Sequence, residues 1–186
     1  MPQTESGNWC NLIWSSSIPP SKSFTLWRLI NNRMPSNENL QARGCVLASK
    51  CNLCKVQVES SKHLFLSCSF ATAIWDWLNY QFQIIIDTSS AANMILAAKG
   101  SAQMKHLIIS AVVLAVNTIW YCRNLSRSQD KYLHLPQAIN KIKSFLTLAG
   151  NSSLAVAGSS LNDFSIIRSL KVQVNYRKYP RILEVN

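Results

Sequence analysis

Apolar positions recur at helical spacing along most of this chain, and polar residues, prolines and glycines mark the ends of each run. In residues 8–20, NWCNLIWSSSIPP, Trp9, Leu12, Ile13 and Trp14 suit a short amphipathic turn that Pro19-Pro20 ends. Phe24, Trp27, Leu29 and Ile30 form the next stripe and predict a helix from about Ser23 to Arg33, with Ser21 or Ser23 as N-cap and Pro35 closing it. Arg28 and Arg33 fall off that stripe and should face outward. Ser36 is placed to cap a second short helix, SNENLQARG, with Glu38 in its first turn, Arg43 in its last and Gly44 after its end. Ile74, Trp75, Leu78 and Phe82 predict a helix over about Ser69 to Phe82; Ile84–Ile86 read as a short strand-like run or connector. A short helix is expected over 91–98, ended by Gly100, then a long apolar one from about Ala102 to Asn124. A further helix is expected from Leu135 to Leu148, with Pro136 at its start and Gly150 beyond its end. Residues 150–160, rich in Gly, Ser and Ala, read as a linker. The tail after it carries one strand-like run, KVQVNY, and the basic residues Arg177, Lys178 and Arg181.

Between the second and third helices the pattern changes to C-x2-C-x8-H-x4-C, formed by Cys51, Cys54, His63 and Cys68. Two cysteines two apart make a tight turn that can aim both sulfurs at one ion. A His and a Cys one helical turn apart can add two ligands from one face. Ser61 is placed to cap that turn, and Val56–Ser60 reads as a loop or short strand. Thiolates with one imidazole favour zinc over magnesium or calcium, and four protein ligands close the site, which points to a structural metal. A C-x-x-C pair alone also suits redox chemistry, and cysteines are often buried small hydrophobes. Cys10, Cys45 and Cys122 sit beside apolar residues and read as core thiols, with Cys45 near enough in sequence to substitute as a ligand.

Charge changes the picture. The 186 residues carry 19 basic and 8 acidic side chains, a net +11. That excess suits a polyanion such as nucleic acid or an anionic membrane surface. Residues 51–100 are neutral, so a grip on phosphates should come from the flanks. Trp27-Arg28, Tyr121-Arg123 and Tyr176-Arg177-Lys178-Tyr179 pair rings with cations, as stacking on unpaired bases requires, although an aromatic at helical spacing is more often core. Arg28, Arg33, Arg43, Arg123, Arg177 and Lys178 are the candidate phosphate contacts. The acidic residues are not clustered in sequence, and no phosphate loop, dinucleotide fingerprint or nucleophile elbow is present. No catalytic residue is therefore expected. The polar N-terminus, MPQTESGNWC, lacks the apolar core of a signal peptide, so an intracellular, non-secreted protein is expected. The run Leu107–Cys122 is short and interrupted, and reads as a buried helix rather than a membrane span.

The string W-x4-W-x3-IPP-x-K-SF-x2-WR-x4-R-x-P-x3-NL-x2-RG, followed by C-x2-C-x4-E-S-x2-HLF-x2-C and IW, resembles the zinc-binding domain after the reverse transcriptase in plant LINE-type (non-LTR) retrotransposons. It covers about residues 9–80 and includes Trp9, Trp14, Trp27, Arg28, Arg33, Arg43, Gly44, Glu59, Ser60 and Trp75 besides the four ligands. Ile119-Trp120 and Arg123-Asn124 resemble the segment that follows in that family. The resemblance implies a helical module stapled by one zinc on Cys51, Cys54, His63 and Cys68, with Glu59 and Ser60 as loop residues. It implies template RNA or target DNA as partner, a polymerase or ribonuclease H neighbour, and nuclear action. The polymerase motifs are missing, which suits a fragment of such an element.

The expectation is a mainly α protein. Residues 1–82 form the zinc-stapled domain, 83–149 a helical extension, and 150–186 a linker and flexible basic tail. Its expected role is non-catalytic nucleic-acid binding. A protein-interaction module docking on a polymerase domain, or a transposon relic, is the alternative that the high apolar content, 48%, leaves open.

Overall fold

The structure, a computed structural model, describes residues 8–96 and 98–177. It is mainly helical. In chain order the helices are α1 (Asn8–Ile13), α2 (Pro20–Ile30), α3 (Asn37–Gln41), a π-helical turn (His63–Ser67), α4 (Ser69–Phe82), α5 (Asn93–Leu96), α6 (Ala102–Gln129), α7 (Leu135–Asn151) and α8 (Leu161–Ser169). Among the described residues there is no strand, only an isolated antiparallel bridge between Lys50 and Val58.

Helix α6 is the axis. It is apolar around most of its circumference, which a helix tolerates only when neighbours cover it. Helices α1, α2, α4, α5, α7 and the π turn all pack on it. It has the length and apolarity of a membrane span, and 72% of its most apolar window is buried inside the protein. It starts where the Ser101 side chain accepts from the Met104 amide and stops at Asp130, which takes a left-handed conformation. The chain then returns as α7. Lys141 lies over the Tyr121 ring and Gly150 lies beside Leu107, so the two helices run antiparallel. Ala138, Ile142, Leu146 and Ala149 form the buried stripe of α7.

The expected helices differ from the observed ones where the chain entered or left a helix by another route. Helix α2 begins at Pro20, three residues early, because a proline in the first turn has no N–H to leave unsatisfied. Ser23 is therefore not a cap; it is buried and its hydroxyl donates to the Ile13 carbonyl. Ser36 makes no capping bond to α3 but pairs with the Ser61 hydroxyl at 2.9 Å. Helix α4 has the expected bounds, and α6 runs five residues past Asn124. Gly150 lies inside α7, not after it, in a spot too tight for a side chain.

Residues 150–160, expected as a linker, are tied down. Gln103 N donates to Val156 O, Ala157 N donates to Asn175 O, and the Asn175 side chain donates to the Ser153 and Ala155 carbonyls. Helix α8 was not expected. Its N-cap Ser160 accepts from Asp163 N, and the Asp163 carboxylate accepts from Ser101 N at 3.0 Å, joining the starts of α8 and α6. The strand-like run forms no strand; Lys171 takes a left-handed φ of 56, and Val172 and Val174 are buried. One apolar cluster runs from Ile13 to Val174. Lys178 and Arg181 lie outside the described residues.

Gly150→Ala tests this packing. Its Cβ would meet Val172 Cγ2 at 2.7 Å and Leu107 Cδ2 at 2.8 Å. Overpacking costs about 1–3 kcal/mol, against a helix-propensity gain of about 1 kcal/mol. We expect a fall in Tm of roughly 2–4 °C, read by thermal melting; a rise would show that the site relaxes freely.

Candidate metal centre

Cys51 and Cys54 lie on a tight turn in which Lys55 N donates to Cys51 O at 2.9 Å. Lys55 closes it at φ 59. Cys51 N donates to Gln57 O and Glu59 N to Ser49 O, so the chain doubles back and delivers its second arm to His63. There the local structure departs from expectation. Five residues on an α-helix turn through roughly 500°, leaving His63 and Cys68 roughly 140° apart around the axis. The chain instead forms a π turn, with Cys68 N donating to His63 O at 2.7 Å. That five-residue bond sets both side chains on one side. Ser60, not Ser61, caps the turn, its hydroxyl accepting from His63 N at 2.9 Å.

The four ligand atoms lie within 4.8 Å of one another. Cys51 and Cys68 sulfurs are 3.9 Å apart, and Cys54 Sγ is 3.3 Å from His63 Nε2. Tetrahedral zinc, with Zn–S about 2.3 Å and Zn–N about 2.0–2.1 Å, needs ligand separations of roughly 3.8 and 3.5 Å. The donor set and spacing therefore fit. The Cys51 thiol is pushed well up, first by its hydrogen bond to Cys68 and then by burial, while that same bond draws Cys68 down. The pair thus holds a proton that an incoming cation must displace. Among the described residues this is the only group of three or more His, Cys, Asp or Glu side chains so placed. Cys45 is exposed and outside it, and Cys10 is half-buried; of the three cysteines read as core thiols only Cys122 is buried.

A second cluster holds the loop to the rest of the protein. Glu59 and Arg123 form an ion pair with side chains 0% and 4% exposed, Nη2 to Oε1 at 2.6 Å. Arg123 Nε reaches both Glu59 oxygens, and Nη2 also donates to Asn37 Oδ1 at 2.9 Å. Asn37 N donates to Glu59 Oε1, Asn37 Nδ2 donates to Ala48 O, and Arg127 donates to Asn37 Oδ1. This corrects the reading of Arg123 as a phosphate contact, because its guanidinium is buried and bound to Glu59. It also promotes Glu59, expected only as a loop residue, to the anchor of α3, the metal loop and α6.

The remaining candidates are on the surface. Arg28, Arg33 and Arg43 are exposed and come together around a hollow with Phe24 and Trp27. Arg177 is exposed, and Lys178 lies outside the described residues. The structure also brings Ser15 and Ser17 to His106, whose Nε2 lies 3.0 and 2.7 Å from their hydroxyls. His106 Nδ1 is buried with no partner, and burial lowers its pKa, so no carboxylate orients it as a base. A surface hollow of about 950 Å³ is lined by Asn79, Gln83, Ile85, Asp87 and Leu96, none of them in the Cys51–Cys68 cluster.

Fold and site together define a helical module with a compact Cys3His cluster suited to a metal ion. Residues 1–75 match the family zf-RVT, described as zinc-binding in reverse transcriptase. No curated protein and no solved structure matches the chain.

Two outcomes are expected from substitution. Cys51→Ser or His63→Ala should abolish stoichiometric zinc by elemental analysis and lower the melting temperature, since structural zinc contributes about 10–16 kcal/mol of apparent binding energy; unchanged metal content and melting would contradict the ligand set. Arg123→Met should cost about 3–5 kcal/mol by leaving Glu59 buried and unpaired, and adding Glu59→Met should recover at least about 1 kcal/mol in denaturant titration.

Proposed function

We propose that this chain is the nucleic-acid-binding zinc module of a retrotransposon-derived reverse transcriptase protein of the plant LINE type, non-catalytic by itself. The observation that carries the reading is the zinc-binding match over residues 1–75, with its Cys51, Cys54, His63 and Cys68 side chains gathered at ligand distance. One structural zinc fixes the loop between α3 and α4. The net charge of +11 and the exposed Arg28, Arg33 and Arg43 support RNA or DNA as the partner, with a polymerase or ribonuclease H domain as neighbour and the nucleus as the place of action. A protein-docking role has its own support in Tyr80, Ile85 and Leu96, exposed apolar side chains at 84%, 89% and 65% between α4 and α6.

The zinc-loaded chain should bind labelled RNA or DNA with an affinity that falls steeply between 50 and 200 mM salt. Engagement of three to five phosphates on a single strand gives a log–log slope of about −2 to −3.5. Chelation should weaken that binding. Binding unchanged by chelation would transfer it to the basic tail, and no binding would favour the docking role.

A further inference from the structure

The hollow beside α2 brings together stacked rings, guanidinium groups and positive charge. Phe24 and Trp27 stack with ring centroids 5.4 Å apart and planes 7° from parallel, and Phe24 keeps 42% of its surface exposed. Arg28 lies over the Phe24 ring at 4.6 Å, and Arg33 lies 5.9 Å from the Trp27 centroid. Arg43 closes the hollow, whose volume is about 420 Å³. Two stacked rings therefore lie between two guanidinium groups along one strip.

Three separate segments build it. Phe24, Trp27 and Arg28 share one face of α2, at spacings of three and four. Asn32, at φ 50, reverses the chain so that Arg33 N donates to Arg28 O at 2.7 Å, which returns Arg33 to the helix end. Gly44, at φ 85, turns the chain after α3 and leaves Arg43 at the rim.

The charge is uncompensated. Among the described residues none of Arg28, Arg33 and Arg43 has an ion pair, since the pair formed is Arg123–Glu59. Between residues 6 and 58 the sequence has one acidic residue, Glu38. Its carboxylate is turned to the metal loop, where it accepts from Ser61 N at 3.3 Å.

We propose that Phe24, Trp27, Arg28, Arg33 and Arg43 form a binding site for single-stranded nucleic acid, with one unpaired base against the ring–guanidinium strip and the arginines on flanking phosphates. This rests on the proposed nucleic-acid function and specifies where and in what form the strand binds. A duplex hides the base faces that such a strip recognises, whereas a single strand exposes them, and Arg planes and aromatic rings are both stacking partners for bases.

The test uses the full zinc-loaded chain with a labelled 12-nucleotide single strand, as RNA and as DNA, and a duplex of the same sequence. The triple variant Arg28→Gln, Arg33→Gln, Arg43→Gln should lose about tenfold or more in single-strand affinity and reduce the salt slope by about 2. A control of equal charge change at exposed positions, Lys131→Gln, Arg168→Gln, Lys171→Gln, should lose no more than about threefold. Phe24→Leu, which keeps a good helix former on an exposed position, should lose about tenfold for the single strand and leave the duplex unchanged. Zinc content and circular dichroism confirm the fold of each variant. Equal losses in the two triples, or no effect of Phe24→Leu, would overturn this site while leaving general nucleic-acid binding intact. Failure of the unmodified chain to bind any strand would overturn both.

Discussion

The buried pair between Glu59 and Arg123 is the constraint on which the metal-binding half depends. The chain between α3 and the π turn has little apolar mass of its own: Val46, Val56 and Val58 are all exposed. It cannot be held by hydrophobic burial. One end is closed by the ligand cluster, and the other by Glu59, which carries the loop to Arg123 on α6. Taking two charges out of water is expensive, and a lone pair seldom recovers that cost. Here the guanidinium makes bonds to Glu59, Asn37 and Asn124, and Glu59 also accepts from the Asn37 amide, so charge-assisted bonds offset the desolvation. The pair sets position more than it adds stability, because its geometry admits one register of loop against helix.

From that anchor the metal centre is coupled to the core by short steps. Phe65, inside the π turn, stacks on Trp120 of α6 at 6.1 Å, and its carbonyl accepts from Trp75 Nε1 of α4 at 2.8 Å. Arg123 lies 4.9 Å from the Trp120 ring. The ligands His63 and Cys68, the π turn, α4 and α6 are thus one packed unit. Helix α6 belongs as much to the metal loop as to the helices that follow it, which is why the apolar cluster has no break near residue 82.

The sequence made legible whatever depends on local spacing. The grouping of Cys51, Cys54, His63 and Cys68 follows from Cys and His intervals, and the bounds of α4 follow from a clean apolar stripe between a polar start and an end at Phe82. What it hid depends on distant partners. Arg123 looks like a solvent cation because nothing nearby in sequence reveals a carboxylate 64 positions earlier waiting beneath it. Gly150 looks like a helix end because its neighbour, Val172, lies 22 residues away. The π turn was partly readable, since an interval of five cannot bring two side chains to one face of an α-helix. So was α8, whose Ser160-x-x-Asp163 start is a capping pattern within a stretch that composition alone presents as a tail.

The arrangement also separates the metal from the positive charge. Three thiolates around one divalent cation carry a net negative charge, so such a centre does not by itself attract phosphates. Glu59 adds a carboxylate, neutralised by Arg123. The arginines left exposed on this half, Arg28, Arg33 and Arg43, are those the fold displaces from the centre, onto α2 and the turns that follow α2 and α3. The metal loop is bonded to Asn37 and Glu38 of α3 and to Ser36 just before it. Loss of the metal would therefore reach this strip through the position of Arg43, while Phe24, Trp27 and Arg28 stay on a helix packed against α6.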